Sequence, residues 1–347
     1  MEAAIVTHKI RLAAEDELVR AGSHPLKKVG SLESPADITV QMVTFIPFQE
    51  GYFEKSLDVL KLSLESLWEH TSGKFDLMIF DNGSCAEVRS YLLEQQERDK
   101  IQYLFLSDRN VGLPGAWNIL FRAAPGKIVA YSDSDIYFYP GWLEEQLHLL
   151  ETFPKVGMVT GIPLRNPQEF SSKTLEWAEQ EPQVAVSRGV LQDWDIFWAH
   201  AQSLGLEEAE ARTKYQKGED VQFTLNGATA FLGAGHFQFV SPRSVLEAVM
   251  PFPYIMPMGN ERYLDKKINE LGYLRLSTTK MFVRHIGNRV PEALLREIGR
   301  PVQPIPSAGR RSWVQRVANW APIRKLLLFL YGRIFRLYYI REEGSNR

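Results

Sequence analysis

The sequence predicts an α/β fold built on a mostly parallel central sheet with helices on its faces. Between residues 38 and 161, short apolar runs alternate with longer segments whose apolar residues recur at helical spacing. Such alternation is typical of βαβ units, in which right-handed crossovers join parallel strands. The 347 residues are 45% hydrophobic and 24% charged, as in globular proteins, so the chain can build a substantial core.

The individual elements follow from local signals. The first strand is predicted at 38–46, a β-branched run that Pro47 stops, and a helix with a leucine-rich face follows at 52–70. The same reasoning predicts strands at 75–80, 101–106, 127–132 and 156–161, and helices at 88–96, 114–124 and 141–152.

Residues 162–225 break this rhythm and predict a polar, helical insertion in the domain. Apolar patterning resumes afterwards, predicting a strand region at 228–240, helices at 242–250 and 261–271, and a last strand at 274–283. His236 is expected in a strand.

Three parts are therefore expected: an arm at 1–37, a domain at 38–300, and a Pro-containing linker with a basic amphipathic helical tail at 301–347. From Gly309 onward the tail has nine Lys or Arg and two Asp or Glu, interleaved with aromatic residues. The tail helix would either pack on the body or lie on an anionic membrane, and the aromatic residues favour membrane contact. Arg333 and Arg336 argue against spanning.

Composition excludes several classes of protein. The formal net charge of −2 argues against a nucleic-acid partner, and Cys85 is the single cysteine, so neither an internal disulfide nor a CxxC metal site is possible. The N-terminal 30 residues have no apolar core of a signal peptide, and no run reaches the ~18 apolar residues of a spanning helix. We therefore expect a cytoplasmic protein, peripheral on the cytoplasmic face of the membrane.

The triplet Asp133-Ser134-Asp135 directly follows the apolar run 127–132. Its carboxylates should lie at the carboxyl edge of the sheet, where open α/β folds bind ligands. Paired carboxylate oxygens suit Mg²⁺ or Mn²⁺, which commonly bridge a protein to a diphosphate. The metal interpretation is favoured over the alternative, a solvated turn or a pair of acids capping the helix at 141.

Two further polar loops end strands at the same edge. Asp81 and Asn82 follow the second strand and form either a simple turn or a contact for a base or ribose. In the loop after the third strand, Arg109 is either an exposed side chain or a cation beside a diphosphate. Asn118, on the next helix, caps that helix or lines the same cleft.

The order of these motifs resembles that of family 2 glycosyltransferases with the GT-A fold. The resemblance covers about residues 38–161 and includes Pro47, the segment 81–84, the segment 110–112 with Ala116 and Asn118, and the triplet 133–135. It implies a nucleotide-sugar-binding sheet, Mn²⁺ or Mg²⁺ as cofactor, and inverting transfer of a sugar to an acceptor hydroxyl. A UDP-sugar is the favoured donor, and the acceptor is a carbohydrate or is lipid-linked. The insertion at 162–225 would lie on the acceptor side, where Trp177, Trp194 and Trp198 suit either sugar stacking or a lid, and equally a core. His236 would be core or acceptor lining.

The resemblance also implies roles for single residues. Asp81 would contact the base, Asp133 the ribose or sugar, and Asp135 the metal, together with Asp133 and His285. The first-strand motif, Pro47 to Glu50, departs from the family's usual Pro-x-Tyr-Asn and is compressed by one residue. The implied donor-binding residues are Pro47, Phe48, Glu50, Asp81, Asn82, Arg109, Asn110, Gly112, Asn118, Asp133 and Ser134.

The general base is expected near the start of the helix at 261–271. Family members place two acids there, and Glu261 matches the second of them, with Asp265 one helical turn on as the reserve candidate. Glu261 is otherwise an ordinary first-turn acid favoured by the helix dipole. His285 follows the last strand and is either a metal ligand or a structural histidine.

Three other functions compete with this one. A sugar-nucleotide nucleotidyltransferase would need a Gly-rich, basic loop after the first strand, which 48–51 does not supply. A dehydrogenase would need GxGxxG at that place. A non-catalytic carbohydrate- or membrane-binding protein on a transferase scaffold stays open, although Asp133, Asp135 and Glu261 are all present.

Overall fold

The computed structural model describes residues 32–254 and 261–301. The chain divides into two compact units, 1–290 and 291–347. Within its described residues, the second unit has one short helix, Glu292–Glu297. The predicted linker and tail at 301–347, apart from residue 301, and most of the predicted arm lie outside the described residues.

The first unit is built on a ten-stranded sheet with a separate two-stranded sheet beside it. The large sheet has the order β3-β2-β1-β4-β10-β6-β11-β9-β8-β7, and the small one pairs β12 with β5. The strands are β1 (Ile38–Thr44), β2 (Asp76–Asp81), β3 (Tyr103–Leu106), β4 (Ile128–Asp133), β5 (Ile136–Phe138), β6 (Val156–Thr160), β7 (Ala185–Gly189), β8 (Asp220–Leu225), β9 (Ala228–Leu232), β10 (Gln238–Pro242), β11 (Leu274–Ser277) and β12 (Val283–His285).

Ten α-helices are described, together with two single turns of 3₁₀-helix at Gly51–Phe53 and Gln168–Phe170. The α-helices are α1 (Ser56–His70), α2 (Ala86–Glu97), α3 (Gly112–Ala123), α4 (Trp142–Thr152), α5 (Ser172–Gln180), α6 (Trp194–Ser203), α7 (Glu208–Lys217), α8 (Arg243–Val249), α9 (Glu261–Glu270) and α10 (Glu292–Glu297).

Side-chain alternation in the strands explains why helices cover both faces of the sheet. In β2, Leu77 and Ile79 join a core with α1, α2 and α4, whereas Met78 and Phe80 join a second core with α3, α8 and α9. Successive side chains of a strand point to opposite faces, so a strand buried on both faces is apolar throughout. This pattern explains why the strands that are buried on both faces could be predicted from the sequence.

The first four strands are parallel to one another and lie in the order β3-β2-β1-β4. Seven strands of the large sheet run in one direction, and β10, β9 and β7 run in the other. Along the chain, β2 and β3 are added on one side of β1, and β4 is then added on its other side. In open α/β sheets, ligands bind where the strand order reverses in this way.

Three regions differ from the sequence expectations in detail. The insertion at 162–225 has the helices α5, α6 and α7, but it also has the strands β7 and β8, which extend the sheet. The single last strand expected at 274–283 is two strands, and β12 leaves the large sheet to pair with β5. His236 lies in the turn before β10 and not in a strand.

Candidate active site

The strand register brings the predicted acidic residues to one edge. Thr44, the last residue of β1, pairs with Asp81 on β2, and its neighbour Val43 pairs with Asp133 on β4. Adjacent strands are about 4.8 Å apart, so the backbones of Asp81 and Asp133 lie about 10 Å apart on either side of β1. The crevice at the end of β1 therefore has a carboxylate on each flank.

Asp81 is fully buried and held by two neighbours. Both carboxylate oxygens accept from the Ser84 backbone N–H, at 3.2 and 3.3 Å, and Oδ2 accepts from Arg89 Nε at 3.1 Å. Arg89 also donates to the Ser107 carbonyl at the end of β3. The arginine thus offsets the charge of a buried acid and fixes its orientation, as buried carboxylates require.

A second network joins the loops after β2 and β3. Asn82 Nδ2 donates to Asn110 Oδ1 at 2.9 Å, and Asn82 Oδ1 accepts from the Val111 N–H at 2.8 Å. Asn110 Oδ1 also accepts from the Gly112 N–H at 2.7 Å. Between them, Gly83 has φ +89° and approaches the Arg109 backbone so closely that a Cβ would lie 3.0 Å from the Arg109 carbonyl carbon. Arg109 itself is exposed at the rim of this loop.

Asp133 is oriented by its own strand. Tyr131 lies two residues earlier, on the same face of β4, and its hydroxyl donates to Asp133 Oδ1 at 2.6 Å. Burial and then the charge of Asp133 raise the pKa of Tyr131 well above its usual value. The phenol therefore stays protonated and acts as a fixed donor.

Asp135 meets His285 across the small sheet. Ser134 and Asp135 form the tight turn between β4 and β5, and β12 pairs with β5 so that His285 lies opposite Ile136. The Ile286 N–H donates to the Asp135 carbonyl at 2.8 Å. Asp135 Oδ2 and His285 Nε2 are 3.3 Å apart, and both side chains are partly accessible.

The insertion covers the far side of this imidazole. His200, on α6, presents its ring edge-on to His285 with centroids 6.5 Å apart, and it stacks on Phe237 at 5.4 Å. Burial and then the charge of His285 lower the pKa of His200 to about 4. His200 is accordingly neutral at physiological pH and packs between Phe237 and His285.

Two predicted site residues have other partners. Asn118 Nδ2 donates to the Phe252 carbonyl at 2.9 Å, and its Oδ1 accepts from the Phe252 N–H at 2.8 Å. Asp265 is buried on α9, accepts from Arg275 Nη2, and lies 3.5 Å from His236 Nδ1. Arg275 is fully buried and also donates to the carbonyls of Phe170 and Ala234. Asp265 thus pairs with the guanidinium of Arg275 and holds α9 in place.

The remaining predicted residues lie in the loop after β1 and at the start of α9. Pro47 is partly buried in the loop after β1, whereas Phe48 and Glu50 are exposed, with the Phe48 ring edge-on to Phe53 at 5.3 Å. Glu261 is the first residue of α9, and its side chain lies outside the described part of the chain.

The tryptophans of the insertion have two environments. Trp177 packs edge-on against Phe153 and Phe223, at 6.0 and 6.3 Å, as a core residue. Trp194 and Trp198 stack on each other at 6.1 Å along α6. Beneath α6 and α7 lies a buried ion pair, in which Arg165 Nε and Nη2 donate to the two oxygens of Asp220 at 2.6 and 2.9 Å.

Sequence reasoning missed Arg89, Ser203, Arg165 and Arg275. Their partners lie 8, 82, 55 and 10 residues away in the chain, so each contact depends on the tertiary fold. Only Arg89 had a local signal, since it lies in the first turns of the helix that follows Asp81.

The Asp135–His285 pair is chemically suited to a divalent cation. A carboxylate oxygen and an imidazole nitrogen are both ligands of Mn²⁺, and imidazole favours Mn²⁺ over Mg²⁺. Neighbouring ligands of an octahedral site with bonds of about 2.1 Å are about 3 Å apart, close to the observed 3.3 Å. Within the described part of the chain no group of three His, Cys, Asp or Glu converges. Two protein ligands suffice where water and phosphate oxygens complete the shell.

Comparison with known proteins agrees with this arrangement. Residues 51–220 match the sequence profile of Glycosyl transferase family 2. This segment therefore belongs to that family. The predicted GT-A class, an α/β sheet flanked by helices in which most strands run one way, is confirmed together with the family resemblance. The match contains Asp81, Asp133 and Asp135 but ends before Asp265 and His285.

Individual relatives of this glycosyltransferase domain are distant. An uncharacterized glycosyltransferase of Nostoc sp. is 30% identical over 102 residues, which are 29% of this chain and 31% of that protein. The solved structure of S. aureus TarS 1-349 has a TM-score of 0.42 at 15% identity and covers 71% of this chain and 59% of its own. A mannosyltransferase from Pyrobaculum calidifontis, solved with GDP-Man and Mn²⁺, has a TM-score of 0.41 at 16% identity, covering 82% and 61%. The chain thus spans less than two thirds of each of these proteins.

Proposed function

We propose that this protein is a metal-dependent, inverting glycosyltransferase that uses a nucleoside-diphosphate sugar. One observation carries the proposal: in a family 2 domain, Asp81, Asp133 and the Asp135–His285 pair lie at the same edge of the sheet, where the strand order reverses beside β1. Sheets of this type bind nucleotides at that place. A UDP-sugar is the favoured donor.

The donor half of the reaction follows from the fixed side chains. Asp81 would accept a hydrogen bond from the base, held in place by Arg89, and Asp133 would contact the ribose or sugar, held by Tyr131. Asp135 and His285 would hold Mn²⁺ or Mg²⁺. When bound, the cation offsets the negative charge that builds on the departing nucleoside diphosphate.

The acceptor half needs a general base. We assign it to Glu261, whose carboxylate would take the proton of the acceptor hydroxyl while that oxygen attacks the anomeric carbon. The bond from the anomeric carbon to the new oxygen forms as the bond to the diphosphate oxygen breaks. One such displacement inverts the anomeric centre. Asp265 is the weaker candidate, because it is buried against Arg275.

The acceptor and the location belong to the same proposal. We expect a carbohydrate or lipid-linked acceptor, and contact of the basic aromatic tail with the cytoplasmic membrane surface. The tail lies outside the described residues. In the described part of the chain, no helix is both long and apolar enough to cross a bilayer.

The test is calorimetric titration of UDP-, GDP- and dTDP-sugars with and without Mn²⁺, followed by a search for donor hydrolysis or transfer. Asp135→Ala should remove the Mn²⁺-dependent part of binding, while Asp58→Ala, an exposed acid on α1, should not. If the folded protein binds no nucleotide sugar, the transferase proposal fails. Binding without turnover over a wide acceptor panel would favour the non-catalytic carbohydrate-binding protein.

A further inference from the structure

The imidazole that meets Asp135 has a second polar contact, on its other nitrogen. His285 Nδ1 lies 3.1 Å from Ser203 Oγ. Ser203 is the last residue of α6, a helix of the insertion at 162–225. The insertion therefore reaches the atom of His285 opposite to the one that faces Asp135.

The hydroxyl proton of Ser203 already has an acceptor. Ser203 Oγ is 2.7 Å from the His200 carbonyl, one helical turn earlier. A carbonyl oxygen can only accept, and a serine hydroxyl has one proton, so the hydroxyl donates to His200. Ser203 Oγ then offers only lone pairs to His285, and Nδ1 of His285 must be the donor.

This assignment fixes the role of the other nitrogen. If Nδ1 keeps its proton, a neutral His285 has its lone pair on Nε2, facing Asp135 Oδ2 at 3.3 Å. Two lone-pair-bearing atoms at that distance repel unless a proton or a cation lies between them. A metal-ligating histidine commonly has its free nitrogen fixed in this way by a hydrogen-bond acceptor.

The ring is also fixed by packing. Phe237 contacts it edge-on with centroids 5.9 Å apart, and His200 does so at 6.5 Å. The backbone of His285 is held by its pairing with Ile136 in the small sheet. Rotation of the imidazole about its side-chain bonds is thus restrained from two sides, and the hydrogen bond to Ser203 selects the nitrogen that faces Asp135.

We propose that Ser203 is a positioning residue for the metal pair. By accepting the Nδ1 proton of His285, it presents the Nε2 lone pair to the cation that Asp135 would share. The geometry of the cation site then depends on α6, so a helix of the insertion helps to form that site. This inference rests on the proposed function.

Ser203→Ala removes the acceptor, and Ser203→Thr restores it. The matched control is Thr213→Ala on α7, which removes a similar hydroxyl-to-carbonyl hydrogen bond within the insertion, to Ala209, without contact to His285. In each full-length variant, Mn²⁺ binding is measured from the electron paramagnetic resonance of free Mn²⁺, alone and with UDP. The tautomer of His285 is read from ¹⁵N chemical shifts of labelled histidines, assigned with His285→Gln.

We expect a protonated Nδ1 on His285 in the parent and a mixture of tautomers in Ser203→Ala. Mn²⁺ affinity should fall about 10- to 100-fold in Ser203→Ala, recover in Ser203→Thr, and stay within about twofold in Thr213→Ala. An unprotonated Nδ1 in the parent overturns the proposal without any variant. Mn²⁺ binding that Ser203→Ala leaves unchanged, or that Thr213→Ala weakens equally, overturns it while the metal site stands. A parent that binds no Mn²⁺ overturns both this inference and the metal-dependent function.

Discussion

Asp265 and Glu261 lie one turn apart on α9. Substituting each in turn distinguishes the structural role of Asp265 from the proposed general-base role of Glu261. Asp265→Asn should lower the free energy of unfolding by about 3–5 kcal/mol, because it leaves the Arg275 guanidinium buried without a counter-charge. The transfer rate per folded molecule should stay within about tenfold of the parent, since a general base contributes about 10²- to 10⁴-fold.

Glu261→Gln should show the opposite pattern. As a first-turn acid of α9, its charge contributes at most about 1 kcal/mol to the helix, so the stability should change little. The rate should fall about 10²- to 10⁴-fold, because a glutamine cannot take the acceptor proton. Urea unfolding followed by circular dichroism gives the stability, and donor consumption with acceptor present gives the rate.

A double-mutant cycle checks that the stability effect arises from the ion pair. Arg275→Met alone removes the charge and also the hydrogen bonds to the carbonyls of Phe170 and Ala234, of which the second keeps a donor in Asn166 Nδ2. Combined with Asp265→Asn, it should cost less than the sum of the single changes, with a coupling of about 0.5–3 kcal/mol. The reasoning is refuted if Asp265→Asn is as stable as the parent and loses transfer more than about 100-fold, the loss expected of a missing general base. Asp265 would then be the base.

Three further predictions concern single side chains. Asn118→Ala should lower the unfolding free energy by about 2 kcal/mol, because it removes two hydrogen bonds to Phe252. A loss of nucleotide-sugar affinity without a change in the stability measured by urea unfolding would contradict this. Burial raises the pKa of Asp220, but hydrogen bonds from Arg165 and two backbone N–H groups outweigh this and lower it below 3.8. The stabilisation is therefore present above pH 3.8 and lost as pH falls through the lower folded-state value. Urea titrations from about pH 6 to about 2.5 should show a steeper loss in the parent than in Asp220→Asn, and equal slopes would contradict the assignment. Asp135→Asn should weaken Mn²⁺ binding at least about tenfold while leaving metal-free UDP affinity within about twofold by calorimetry, and a loss of both would place Asp135 on the nucleotide instead.

The parallel half of the fold was predictable because its strands are buried on both faces. In β2 every residue is buried, so the segment is an apolar run ended by a turn signal. The strand β7 was not predictable, since it lies at the edge of the sheet with exposed side chains and is specified by pairing with β8. The expected strand at 274–283 spans β11 and β12, because apolar Met281 and Phe282 continue the pattern through the bend between two sheets.

The candidate site was predictable only in part, for a related reason. Asp81, Asp133 and Asp135 lie where strands end, and strand ends can be read locally. Approach of His285 to Asp135 was expected from the family resemblance alone, and the pairing of β12 with β5 produces it. Ser203 gave no signal, because a serine at a helix end is common and its partner lies 82 residues away.

The small sheet physically connects Asp135 with His285. Asp135 lies within the family-matched segment and His285 beyond it, yet β5 and β12 pair along three residues, from Val283 with Phe138 to His285 with Ile136. Phe138 and Val283 are fully buried in the same core, so the distance between the two proposed ligands is set by core packing as well as by the turn at Asp135. Leu77 and Ile79 of the large sheet lie in this core too, so a change that loosens it should weaken Mn²⁺ binding and the large sheet together.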